Sequence, residues 1–305
     1  MSTEYIHFTA EQKEAARQTD LVSLLQSQGE RLKRSGKEYV WRDGSEKVTV
    51  RGNLWFHQYE RIGGDAVDFV RRFYNMDFPQ AVNFLLGNNG GALPQAKPVK
   101  REPPKPFTLP PKNDNMRRVY AYLLNRRGID REVLSAFVHK GMIYESADYH
   151  NAVFVGYDEH GIARHAHKRG TGSESTYKGN AESCDPRYSF HWTGTDNTLY
   201  LFEAPIDMLS FISLHKENWR SHSYAAACCV GDQVLFQMLK ADPNLDTAYL
   251  CMDNDAAGQA ANKRISDKLF IQGIKHEILV PTHKDWNEDL LSDEQEETEC
   301  QTLQL

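Results

Sequence analysis

From Thr198 the sequence alternates short apolar runs with longer amphipathic ones, and this alternation restricts the fold more than any other feature. TLYLFE (198–203), SYAAACCV (223–230), TAYLCMD (247–253) and KHEILVP (275–281) read as strands. PIDMLSFISLHKE, DQVLFQMLKA and DAAGQAANKRISDKLFIQG read as the helices between them. Strands that are apolar along their length and joined by helical crossovers predict a parallel sheet covered on both faces. In such sheets functional groups gather where the carboxyl ends of the strands open into a crevice. Acidic residues stand at those ends. Glu203 closes the first strand, Asp253 closes the third with Asp255 two residues on, and Asp285 follows the fourth in HKDWNEDL. Asp207 comes one helical turn after Glu203.

Carboxylates converging on one crevice repel each other and do not all ionise without a cation. Hard oxygen donors suit Mg²⁺ or Mn²⁺, which take one or two carboxylates together with substrate phosphates. Such ions clamp the attacking and leaving oxygens in phosphoryl transfer. Gly258 in DNDAAG leaves room for the next helix to begin beside the crevice. Taken singly, Asp255 reads as a helix N-cap and Asp207 as a first-turn carboxylate that favours the helix dipole. That plainer reading leaves Glu203, Asp253 and Asp285 together at three strand ends unexplained.

Upstream, residues 87–115 hold seven of the twelve prolines and show no apolar period, so they read as an extended linker. The chain then divides into an N-terminal module (1–86), the linker, a middle module (116–196), the strand–helix module (197–290) and an acidic tail (291–305). In the first module Thr9 with Gln12 forms a capping box, and Asp20 caps LVSLLQSQ, which Gly29 ends. EYVWRD, KVTVRG and LWFHQYE are short strands, and GGDAVDFVRRFYN and FPQAVNFLLG are amphipathic helices. In the middle module MRRVYAYLLNRRG and DREVLSAFVHKG form a helix pair. NAVFVGYDEHGIARHAHKRG reads as a hairpin turning at Asp158–Gly161.

Charge and cysteine usage narrow the function classes. The net charge is −6, but residues 196–305 carry 8 basic and 19 acidic residues while residues 87–116 carry 5 and 2. That balance argues against indiscriminate nucleic-acid binding and permits a local cationic face beside an acidic pocket. The five cysteines form no CxxC pair, which disfavours a disulfide scaffold or a cysteine zinc site and fits a reducing compartment. No run approaches the ~20 apolar residues of a membrane span. A cytoplasmic protein without a membrane partner is expected.

FEAPID, CMDNDAAG and KDWNED, in that order and strand context, resemble the toprim domain of bacterial primases, topoisomerases and certain nucleases. YLLNRRGIDREVLSAFVHKG resembles the helix pair that opens the polymerase domain of bacterial replicative primase. HNAVFVGYDEHGIARHAHKRG resembles that enzyme's hairpin, and TYKGNAES its basic substrate-binding strand. CCVGDQ stands where primases carry a Gly-containing loop. Residues 10–86 resemble the primase zinc-binding domain without its cysteines, so no zinc is expected. Trp41, Trp55 and Phe56 are expected to replace the metal with an apolar core, with His57 the one good zinc donor of that stretch. The similar proteins include short primase-like proteins of plasmids, phages and conjugative elements.

The resemblance implies an α/β fold, with a toprim parallel sheet preceded by a primase-type α+β subdomain and a small α+β N-terminal domain. It implies a nucleotidyltransferase acting on single-stranded DNA with nucleoside triphosphates, alongside replication or mobilisation proteins of a mobile element. Glu203, Asp253 and Asp255 would be catalytic and hold Mg²⁺ or Mn²⁺, with Asp207 and Asp285 supporting a second ion. Asn287, where an acid is often found, would weaken that second ion's site. Arg164, Lys168, Arg169 and Lys178 would position phosphates, and His165 and His167 are expected to share the face of Arg164. Trp55, His57 and Tyr59, interleaved with Arg51 and Arg61, suit either base stacking or a buried sheet face, and the second is favoured. Two other functions stay open, a toprim nuclease and a non-catalytic DNA-binding adaptor. A topoisomerase is disfavoured because no length remains for a breakage domain.

Overall fold

Caps written into the sequence start the first elements of the computed structural model. Thr9 and Gln12 bond each other's backbone N–H reciprocally at α1 (Ala10–Arg17), and Asp20 accepts from Ser23 N at α2 (Leu21–Ser27). Gly29, with φ of 79°, turns the chain out of α2. A five-stranded antiparallel sheet follows in sequential order: β1 (Leu32–Ser35), β2 (Glu38–Asp43), β3 (Glu46–Arg51), β4 (Leu54–His57) and β5 (Gly63–Gly64). Asp65 and Asp77 cap α3 (Ala66–Phe73) and α4 (Phe78–Leu85). The structure describes residues 8–43, 46–58, 60, 62–87, 105–228 and 231–293. The chain falls into two compact units that meet at 103/104.

The core of the first unit is aromatic where the resemblance leads one to look for cysteines. Trp41 and Trp55 are buried and pack edge-on against Phe73, with ring centroids 5.2 Å apart in both pairs. His57 is buried, stacks on Phe73 and accepts from Glu60 N at its Nδ1. The alternating stretch is therefore a buried sheet face at Trp55 and His57. Tyr59 and Arg61 lie outside the described residues. Phe56 departs from the expectation of a core residue. It is 37% exposed, because the pleat turns it away from the face that Trp55 and His57 share.

The second unit begins before residue 116. Phe107 and Leu109 pack against the Tyr144–Val153–Val155–Ala166 cluster, and Lys112 bridges to Ser146. Residues 105–115 are thus part of this unit rather than linker; residues 88–104 lie outside the described residues. Glu145, 1% exposed, ties the segment down. Its carboxylate accepts from Asn113 Nδ2, Arg118 N and Val119 N, and it pairs with His150 Nδ1 at 2.7 Å. Those two backbone donors belong to the start of α5 (Arg117–Tyr120), which continues as a π-helical stretch, Ala121–Arg126. Gly128 ends it with φ of 66°.

The helix α6 (Arg131–His139) leads into an antiparallel sheet: β6 (Ile143–Glu145), β7 (Ala152–Tyr157), β8 (Ala163–Arg169) and β9 (Lys178–Asn180). Its hairpin turns at Asp158–Gly161, where Asp158 N donates to Ile162 O, the Asp158 carboxylate accepts from Ile162 N, and Gly161 has φ of 72°.

The last sheet has the order β10-β12-β11-β13-β14, from β10 (His191–Trp192), β11 (Thr198–Phe202), β12 (Ser223–Ala226), β13 (Thr247–Cys251) and β14 (Lys275–Ile278). The strands β12, β11, β13 and β14 are mutually parallel, and β10 is an antiparallel edge. The crossovers are α7 (Pro205–Leu214), α8 (Gln233–Ala241) and α9 (Ala256–Ile271). Leu199 and Leu201 of β11 enter a core with α8 and α9, while Phe202 enters one with α7. Burial on both faces is why the inner strands β11, β12 and β13 are mostly apolar, whereas β14, with Lys275 and Glu277, is largely exposed. Residues 286–293 form a final helix, α10, so the expected acidic tail starts inside a helix; residues 294–305 lie outside the described residues. Among the described residues no helix is long and apolar enough to cross a membrane.

Candidate active site

The chain leaves β11 for β12 on one side and later returns to β13 on the other, so the sheet's topological switch lies between β11 and β13. A crevice opens at the carboxyl ends of two strands that diverge in this way. Glu203 follows β11 and Asp253 follows β13, one on each side of it. They share a cavity of about 180 Å³ with Asp207 of α7 and Asp285 at the start of α10.

Four cations line the same cavity: Arg127, Arg169, Lys178 and Lys284. The Tyr122 hydroxyl accepts from Arg127 Nε at 2.9 Å and Arg169 Nε at 3.2 Å, holding the two guanidiniums together. Arg169 and Lys178 are direct partners across β8–β9. Asn287 is 2% exposed, and its side chain donates to Arg127 O and Ser210 Oγ while accepting from Arg127 Nη1. An aspartate there would lack both donors, so asparagine serves as a brace between α10, α7 and Arg127.

Glu203, Asp207 and Asp253 resist ionisation despite the cations. Burial pushes the Asp253 carboxyl up to about 7, helped by repulsion from Glu203, Asp285 and Asp255. Asp207, 7% exposed, is raised well above the usual carboxylate range by burial and then by Asp253, Asp285 and Glu203. Glu203 is raised mainly by burial. Asp253 Oδ1 is buried without a hydrogen-bond partner. Such an orphaned, hard oxygen among mutually repelling carboxyls is what a divalent cation would relieve. Among the described residues no three His, Cys, Asp or Glu side chains are grouped closely enough to cage one ion. The donor set therefore fits an ion that takes one or two carboxylates and completes its shell with substrate or water oxygens.

Not every expected residue reaches the cavity. Asp255 caps α9, its Oδ1 accepting from Ala257 N and Gly258 N at 2.9 Å, and it acts on Glu203 and Asp253 through space only. Gly258 is required there, since a Cβ would overlap the backbone of Asp253. Arg164 pairs with Asp158 at 2.7 Å, at the far end of β8. Lys168 stands on the face of β8 opposite His165, His167 and Arg169, whereas Arg164 sits where the β7–β8 register shifts, half-exposed on Asp158 while the two histidines are buried, which corrects the shared face expected for Arg164 and the histidines. Lys168 instead lines a second cavity, of about 540 Å³, with Arg118, Tyr149 and Tyr177, its ammonium 5.7 Å from the Tyr177 ring centroid.

Sequence reasoning missed Arg127, Lys284 and Tyr122 as site groups. Tyr122 lies within a π-helical stretch that no apolar period announces and Arg127 ends it, and Lys284 sits next to Asp285 without being singled out. The Gly-containing loop expected at CCVGDQ includes Cys229 and Val230, which lie outside the described residues.

Comparison with known proteins gives two family matches. Residues 200–290 match the family described as Toprim-like, and residues 121–196 match a protein of unknown function, DUF3991. An uncharacterized protein of Bacillus anthracis is 25% identical over 274 residues, covering 85% of this chain and 79% of its own. The zinc-binding and RNA polymerase domains of Aquifex aeolicus primase are 16% identical, covering 96% of this chain and 84% of theirs, with a TM-score of 0.41. The primase fragment of the bacteriophage T7 primase-helicase is 19% identical, covering 67% and 84%, with a TM-score of 0.46. Residues 200–290, with acids at the ends of β11 and β13, are thus similar to the Toprim-like family.

Proposed function

We propose that the cavity between β11 and β13 is the active site of a metal-dependent, primase-like nucleotidyltransferase that extends a strand on single-stranded DNA. One observation carries the reading: an orphaned, proton-retaining Asp253 beside Glu203, Asp207 and Asp285, faced by four cations in one cavity. Acids alone would suit a structural ion. Acids opposed by Arg127, Arg169, Lys178 and Lys284 suit an ion shared with phosphates.

Glu203 and Asp253 would hold Mg²⁺ or Mn²⁺, with Asp207 and Asp285 supporting a second ion. Bound there, the metal supplies charge that activates an attacking hydroxyl and stabilises departing pyrophosphate. Arg127 and Arg169, fixed by Tyr122, are placed to grip phosphate oxygens before and during transfer. Lys178 and Lys284 add charge without a fixed fork. Lys168, Arg118, Tyr149 and Tyr177 at the second cavity combine cations with aromatic rings, a combination that suits a single-stranded template. Arg164 belongs to neither cavity and has no role in this reading.

The test is incorporation of labelled NTPs or dNTPs on single-stranded DNA with Mg²⁺ or Mn²⁺, with the DNA also checked for cuts. The wild type is expected to make extended products, and Asp253→Asn to lower their rate by at least a hundredfold. Metal-dependent cutting without incorporation would replace this reading with a nuclease. DNA binding with neither activity would leave an adaptor.

A further inference from the structure

The β8–β9 ladder presents two rungs on the face that carries Arg169: Arg169 opposite Lys178, and His167 opposite Asn180. Arg169, Lys178 and His167 all line the acid cavity. The first rung is cationic. The second has a chemistry of its own, settled by a chain of two hydrogen bonds.

Asn180 Nδ2 donates to the carbonyl oxygen of Cys228 at 3.3 Å. A carbonyl oxygen only accepts, so the Asn180 amide is turned with Oδ1 toward His167. Oδ1 lies 2.7 Å from His167 Nδ1 and must itself accept, which puts the ring proton on Nδ1. A neutral imidazole protonated there carries its lone pair on Nε2. Burial, and then the charges of Lys178 and Arg169, keep the ring neutral, with its pKa lowered to about 4. Among the described residues nothing bonds Nε2.

A group that can only accept has no use for a phosphate oxygen or a carboxylate. Its partner must bring an O–H or N–H. The cavity, at about 180 Å³, is below the volume of pockets that enclose whole small molecules, so a base, sugar and phosphates do not fit together. With phosphates drawn to Arg127, Arg169 and Lys178, the donor that covalent geometry brings beside them is a sugar hydroxyl.

We propose that His167 Nε2 is a hydroxyl-accepting subsite that takes the terminal sugar hydroxyl of the strand being extended, with Asn180 as the positioning residue that holds its tautomer. This rests on the nucleotidyl-transfer reading and adds to it the group that orients the attacking oxygen. Histidine here is a donor-selective reader beside the charged groups of the cavity.

Short single-stranded DNAs identical except for a terminal 3′-hydroxyl or 3′-deoxy end provide the probe, with fluorescence anisotropy in Mg²⁺ as the readout. The wild type is expected to bind the hydroxyl-ended strand about five- to tenfold more tightly, the size of one net hydrogen bond. In His167→Phe that ratio falls to one while affinity for the 3′-deoxy strand is unchanged. His167→Gln, whose side-chain oxygen reaches the place of Nε2, retains part of the preference, a rescue that a purely structural role would not produce. Equal discrimination in wild type and His167→Phe, or none in the wild type, overturns the subsite. If strand extension is nevertheless seen, the subsite alone fails. If the wild type neither binds nor extends DNA, the nucleotidyl-transfer reading fails and takes the subsite with it.

Discussion

Asp253, held near 7 by burial and by neighbouring carboxylates, makes the folded chain prefer the protonated acid. Its folded pKa lies above the ordinary 3.8, so its contribution to stability is fully present below about 4. That contribution is lost as pH rises through about 7. Metal-free protein is therefore expected to melt at lower temperature at pH 8 than at pH 6. Asp253→Asn should flatten this dependence and raise stability at pH 8 in EDTA. The gain is on the order of 1 kcal/mol once solvent screening is allowed for, or about 2–4 °C in Tm. Thermal melts of both proteins across pH 5–9 measure it, and a wild-type Tm flat between pH 6 and 8 would count against the repelling-acid description. Adding Mg²⁺ at pH 8 should restore stability to the wild type and not to the variant. The acids were legible in the sequence because each follows an apolar strand. Arg169 and Lys178 were named through the resemblance, but Arg127 was not, because it owes its place to the Tyr122 hydroxyl and to Asn287, 160 residues away in the chain.

At the level of elements, α9 is joined to the site through the strand end that carries Asp253. Its first turn lies against the backbone of Asp253, with Gly258 at the contact and Asp255 capping the N–H groups. Gly258→Ala inserts a methyl group into the Asp253 carbonyl, so either the helix withdraws or the strand end shifts. A loss of about 1–3 kcal/mol is expected, typical of overpacking. It should appear as a lower midpoint in urea and as activity reduced beyond what the remaining folded fraction explains. Full activity per folded molecule would mean the strand end is not held by this contact. The pattern DNDAAG announces a helix start after a strand, so the position of α9 was readable. Whether Asp255 serves the helix or the cavity depends on where its oxygens point, and spacing does not carry that information. The same limit applies to β8. The β7–β8 register shifts at Arg164, so counting along the strand does not place its side chain, and the Asp158 pair does.

The whole molecule holds separate apolar clusters in its two units, the first built on Trp41, Trp55 and Phe69 and the second on Phe137, Phe154 and Phe202. Trp55→Ala removes a buried ring and should cost the first unit about 3–5 kcal/mol. Hydrogen exchange should show protection lost in residues 8–87 and retained in residues 105–293. Loss throughout would mean the two clusters melt as one. The order of the halves along the chain also has a consequence for synthesis. Arg127, Arg169 and Lys178 emerge from the ribosome before any of Glu203, Asp207, Asp253 and Asp285. For that interval the nascent chain shows a positive wall to a polyanionic machine, with its neutralising partners still unmade.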